Sequence, residues 1–67
     1  MTATQFHAWL AAMKAAGLAR TDADCARLLG LTPHAVVRMK REGVTGAAST
    51  RTALACRALL EGLAAYE

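Results

Sequence analysis

The chain has 67 residues, enough for one domain and too few for a two-domain enzyme, a dinucleotide-binding fold or an α/β barrel. Apolar residues make up 55% of it, which supports a core and excludes wholesale disorder; seventeen are Ala and only Phe6, Trp9 and Tyr66 are aromatic, a balance that favours helices because Ala loses no side-chain entropy in one. Eight Lys/Arg against five Asp/Glu leave a formal charge of +3, which attracts phosphate polyanions or anionic surfaces, and between residues 20 and 41 five cations (Arg20, Arg27, Arg38, Lys40, Arg41) meet only Asp22 and Asp24.

Thr4 opens the first helical pattern, predicted to run to Ala16. Phe6, Trp9, Leu10, Met13 and Ala16 recur at the i, i+3, i+4 intervals that share one face, and Gly17 follows as a stop. Thr21 starts the second helix. Its hydroxyl can cap free N–H groups, Asp22 and Asp24 suit the positive end of the helix dipole, and Thr21-x-x-Asp24 is a shortened capping box. Cys25, Ala26, Leu28 and Leu29 are its apolar members, and Gly30 ends it. Thr32-Pro33 is the clearest local signal, a favoured cap followed by the residue best suited to the first helical position. The third helix is predicted from Pro33 to Arg41, with Val36 and Met39 inward, His34, Val37, Arg38 and Arg41 outward, and Gly43 closing it.

Val44 to Ser49 reads as a small-residue loop, with Ser49 or Thr50 capping a fourth helix from Arg51 to Ala65. Ala53, Cys56, Leu60 and Leu63 form one stripe and Ala55, Leu59 and Tyr66 a second beside it, a wider apolar arc than one buried face of so small a protein requires. Gly62 is placed to break the last turn. The expected class is all-α, with four helices or five if a short C-terminal turn forms, in one domain spanning 1–67.

Little points to catalysis. No paired carboxylates, Ser/His/Asp set or phosphate-cradling Gly loop is present, so no enzyme is expected. Cys25, Cys56, His7 and His34 lack ligand spacing, so no metal or other cofactor, and no small-molecule ligand, is expected. No basic start followed by an apolar run and a cleavage site appears, and the apolar stretch at residues 1–13 is too short to span a bilayer. A cytoplasmic location with buried thiols and no membrane partner is therefore expected.

Two short helices joined by a glycine turn, the second opened by a cap and Pro, make a helix-turn-helix arrangement. The segment TDADCARLLGLTPHAVVRMKREG, from Thr21 to Gly43, resembles the helix-turn-helix of the Cro/cI and Xre family of phage and bacterial repressors. Small Ala26 where the helices pack, Gly30 in the turn, and apolar Val36 and Met39 where the second helix meets the first carry the resemblance, with Leu28-Leu29-Gly30-Leu31-Thr32 close to the family's turn. The motif covers about a third of the chain; the flanking helices extend the likeness to a λ-repressor-like domain over nearly all of it.

The resemblance implies double-stranded DNA as partner, with the third helix in the major groove, which is wide enough for one α-helix. Carried over, the base-facing positions are Pro33, His34, Val37 and Arg38, and the backbone contacts are Thr32, Lys40, Arg41, Arg20, Arg27 and Arg51. Arg38 can grip guanine O6 and N7 together or clamp a phosphate. His34 can donate to a base or stay solvated, Val37 can meet a thymine methyl or stand by, and Pro33 is structural first. Lys40 and Arg41 suit phosphate neutralisation or simply a basic helix end. Departures are Asp22 where the family often has a Gln near a phosphate, Met39 for a bulky aromatic, and Val37 for a more polar reader. Asp22 is expected to serve the cap beside Thr21.

One module reads few base pairs, so a homodimer on a pseudo-palindromic operator is expected, joined through Leu59, Leu63, Tyr66 and Leu54. With no sensing domain beside the motif, a small phage or prophage Cro-like repressor acting by occupancy fits. A DNA-binding antitoxin or an anti-CRISPR-operon autorepressor shares that chemistry, and a helical protein-interaction module is the alternative from another class.

Overall fold

The computed structural model describes residues 1–63, and Tyr66 lies outside them. The chain is all-α: α1 (Ala3–Ala15), α2 (Asp22–Leu29), α3 (Pro33–Glu42) and α4 (Ala47–Leu60), with no strand among the described residues. Residues 64–67, on which a fifth element would fall, are not among them.

Each start has a local cause. Helix α1 starts at Ala3, one residue before the expected Thr4, because Thr2 caps it: its hydroxyl accepts the Gln5 N–H while the Gln5 side chain accepts the Thr2 N–H, a reciprocal box. Thr21 and Asp24 form the same box on α2, and Thr32 Oγ1 accepts the Ala35 N–H on α3, with Pro33 at the first turn. Helix α2 ends on Gly30 at φ 74, ψ 26, left-handed, and the Leu31 N–H reaches back to the Ala26 carbonyl at 2.8 Å. The same backward bond closes α1 (Leu18 to Met13, 3.0 Å) and α4 (Leu63 to Ala58, 2.8 Å).

The fourth helix departs from expectation at both ends. It begins at Ala47, after Gly46 and with no side-chain cap, and it stops at Leu60 rather than Ala65. Ser49, expected to lie in a loop or cap this helix, sits inside its first turn, where its hydroxyl accepts from the Met1 amino group. The Met1 amino group also donates to the Val44 carbonyl (3.1 Å), and the Val44 N–H returns to the Met1 carbonyl (2.8 Å). The leading residues are thus laid across the α3–α4 connection. Gly43 makes the crossing possible: at φ 72, ψ −164, a Cβ there would stand 2.8 Å from both the Ala3 nitrogen and the Met1 oxygen.

Phe6, Trp9, Leu10 and Met13 of α1 form the centre of the core, met by Ala19, by Cys25 and Ala26 of α2, by Val36 and Met39 of α3, and by Cys56 of α4. Phe6 and Trp9 stack at 5.6 Å, and the Trp9 indole N–H donates to the Cys56 carbonyl at 2.8 Å, pinning α4 to α1. Ala16 and Leu28, expected inside, are exposed, because α1 has already ended before Ala16 and Leu28 stands off the α2 face that holds Cys25 and Ala26. The α4 stripe is likewise narrower than expected: Cys56 is buried, Leu59 packs on the core edge, and Ala53, Leu60 and Leu63 face solvent. Helix α3 packs on α1 and α2, whereas α4 packs on those two and not on α3. Among the described residues, no helix covers the outer side of α3.

Candidate nucleic-acid interface

Only Gly30, Leu31 and Thr32 separate α2 from α3. Val36 and Met39 are inserted into the core, which fixes the rotation of α3 about its axis. At about 100° per residue, His34, Val37, Arg38 and Arg41 then share one outward arc about 100° wide, opposite the buried pair. All four are exposed, Val37 at 59%. Thr32, His34, Ala35 and Arg38 line a shallow cavity of about 170 Å³ at the N-terminal end of this face. Pro33 is exposed beside them, and the Thr32 hydroxyl, expected against a phosphate, is engaged in the cap.

The cations divide into paired and free. Asp22 holds two lysines: Lys14 Nζ lies 2.7 Å from its Oδ1 and Lys40 Nζ 2.8 Å from its Oδ2. Oδ1 is shielded from solvent and has no hydrogen bond of good angle, so the Lys14 ammonium alone meets its charge. These two ammonium groups hold the Asp22 carboxyl below its ordinary value, and Asp22 in turn raises Lys14. Lys40, expected to face a phosphate, therefore has its ammonium engaged.

Asp22 was expected in the cap, but Asp24 fills that place, its Oδ2 accepting the Arg20 and Thr21 N–H groups while its Oδ1 takes Arg27 at 3.1 Å. Those backbone donors, with Arg27 and the Thr21 hydroxyl, lower the Asp24 carboxyl. Arg57 lies 3.9 Å from Glu61 on the exposed side of α4. Among the described residues, Arg20, Arg38, Arg41 and Arg51 form no ion pair. Arg51 borders a groove of about 390 Å³ with Leu29, Leu31, Ala48, Thr52 and Ala55, which places it next to the turn.

His7 was not anticipated. Its Nε2 lies 3.1 Å from the Lys40 carbonyl, near the end of α3; because a carbonyl only accepts, Nε2 carries the proton. It ties α1 to the last turn of α3. Lys40 follows buried Val36 by one turn, and that spacing was the available signal that its side chain leans towards α1 and α2.

The residues expected to join two copies do not form one patch. Leu54 and Leu63 are exposed at 65% and 59%, but Leu59 is half-buried against the core. Leu54 and Leu59 stand about 140° apart around the helix, and Tyr66 is outside the described residues. Cys25 and Cys56 are free, buried thiols, and burial raises both, Cys56 to about 11. Among the described residues no three His, Cys, Asp or Glu side chains gather as metal ligands, and no helix is long and apolar enough to cross a membrane.

No family model, curated protein or solved structure matches the chain.

Proposed function

We propose that the protein is a sequence-specific double-stranded DNA-binding transcriptional regulator that lays α3 in the major groove and represses by occupying its site. The observation that carries the proposal is the outer face of α3, left uncovered by the other helices, which presents the guanidinium groups of Arg38 and Arg41 beside His34 and Val37, with no carboxylate among the described residues paired to either. A helix with its side chains is about as wide as the groove, about 12 Å, and guanidinium suits both guanine edges and phosphates. Arg20, just before α2, and Arg51, beside the α2–α3 turn, serve as backbone contacts.

The active form in this proposal is a homodimer. The domain is about 25 Å across, so two abutting copies can hold their α3 helices about 34 Å apart, one turn of duplex. Leu54 on α4 and Leu63 just beyond its end are exposed and available for joining them.

Selection of bound sequences from random duplexes tests the proposal. A twofold-symmetric consensus with half-sites one turn apart is the expected result, and no enrichment over the starting pool rejects it. A protein-interaction module is the second reading. It is favoured by a groove of about 530 Å³ between α1 and α4, lined by Met1, Trp9, Ala53, Cys56 and Leu60 together with the polar Gln5, Arg57 and Glu61. Association through that groove would depend on salt far less steeply than neutralisation of several phosphates does.

A further inference from the structure

Two ammonium groups from different helices converge on one carboxylate at the first turn of α2. Lys14 comes from the end of α1 and Lys40 from the second half of α3, and each takes its own oxygen of Asp22, at 2.7 and 2.8 Å. Two charges against one leave the cluster net positive. The side chains of Lys14, Asp22 and Lys40 are 43%, 32% and 35% exposed, so solutes reach both lysines even though Oδ1 itself is shielded. A tetrahedral oxyanion presents pairs of oxygens at nearly the separation a carboxylate does, and lysine ammonium groups bind phosphate as point charges.

We infer that Lys14 and Lys40 form an oxyanion-binding site that Asp22 fills from within, so that this one carboxylate holds down the protein's affinity for phosphate polyanions. Asp22 acts as an internal competitor: covalently attached and prepositioned, it has already lost the freedom that an incoming phosphate must give up on binding. Cations that would otherwise grip any duplex are withheld, and the free arginines of α3 carry a larger share of binding. Sequence preference is sharpened by this, because uniform backbone attraction strengthens every site alike. The consequence for duplexes rests on the DNA-binding proposal; the anion site does not.

The test uses Asp22→Asn and Asp22→Ala beside the parent, with inorganic phosphate as the probe and chloride at matched ionic strength as the reference. Phosphate stabilises folded proteins generally, so the difference from the parent is the readout. Both variants should gain a saturable rise in Tm that the parent lacks, about 4–8 °C when phosphate reaches some five times its Kd. Adding Lys40→Met to Asp22→Asn should abolish the gain. Should the single variants fail to fold alone, phosphate should restore their helical circular dichroism.

Variants that follow ionic strength just as the parent does, or unfolded variants that phosphate leaves unfolded, overturn the inference. In a parallel arm, Asp22→Asn should steepen the salt dependence of duplex binding by about 0.9 for each lysine that reaches a phosphate. A phosphate response without any duplex binding by parent or variant keeps the anion site and rejects the DNA proposal.

Discussion

Raising salt from about 50 to 200 mM in a duplex-binding titration examines the division between free and engaged cations. Four guanidinium groups per protomer, those of Arg20, Arg38, Arg41 and Arg51, form no ion pair among the described residues, and a twofold pair carries twice that number. Each phosphate neutralised contributes about −0.9 to the slope of log affinity against log salt, so full engagement of the arginines sets a limit near −7. Affinity then falls by about 10⁴ over that fourfold range. Were Lys14 and Lys40 equally available, the limit would be near −11 and the fall would exceed about 10⁶. Fluorescence anisotropy on the selected duplex, over a series of KCl concentrations, separates the two. A slope shallower than about −3 would refute phosphate neutralisation as the basis of binding. One near −11 would refute the sequestration of the lysines by Asp22.

Arg38→Ala should weaken binding to the preferred site by about 1–3 kcal/mol and relax preference at one operator position, whereas Arg41→Ala should weaken all sequences alike and flatten the slope; competition with scrambled duplexes distinguishes them. Gly43→Ala should cost about 3–5 kcal/mol in urea denaturation, from a glycine-only backbone conformation and loss of the paired Met1–Val44 bonds. Gly30→Ala, left-handed but with open space around its Cβ, should cost about 1–2 kcal/mol, and equal losses at the two positions would count against the close crossing. Stability should fall in acid because the folded carboxyls of Asp22 and Asp24 titrate below their ordinary 3.8: their contribution is complete above that value and disappears as pH drops through the folded values. Lys14, raised, loses its share only as pH climbs above 10.5 through its folded value. Asp22→Asn should flatten both limbs of a pH–Tm profile, and unchanged limbs would refute the ion trio.

What was legible in the sequence was short in range. Thr21 with Asp24, Thr32 with Pro33, and Gly30 each satisfy backbone groups within a few residues, so the elements of the α2–α3 unit emerge from residue types alone. The α1 face was legible for a related reason: large apolar residues at helical spacing have one place to go. The start of α4 was not, because Gly46 brings no capping side chain and Ser49, which resembles a cap, is used by a group 48 residues away. Nor was the Asp22 trio, since an acidic residue in a first turn fits a cap as readily as a tertiary ion pair. Leu54 and Leu59 show the same limit on α4. Both are leucines on an Ala-rich helix, and only the packing of α1 and α2 decides which is covered.

The tie-points of α3 bear on how its outer face can vary. Val36 and Met39 anchor it inward, Thr32 caps its start, His7 takes a carbonyl in its last turn, and Lys40 leans onto Asp22. None of these side chains belongs to the arc of His34, Val37, Arg38 and Arg41. Substitutions on that arc therefore cost little folding free energy, because exposed positions away from caps and cores usually change stability by no more than about 0.5 kcal/mol. A protein this small has a thin stability margin, and under the DNA-binding proposal, separating the residues that hold the helix from those that face the duplex lets the bound sequence change without unfolding it. The lysine pair fits the same division: Asp22 keeps Lys40 on the structural side of α3, and in the proposed complex discrimination is left to positions that the fold does not need.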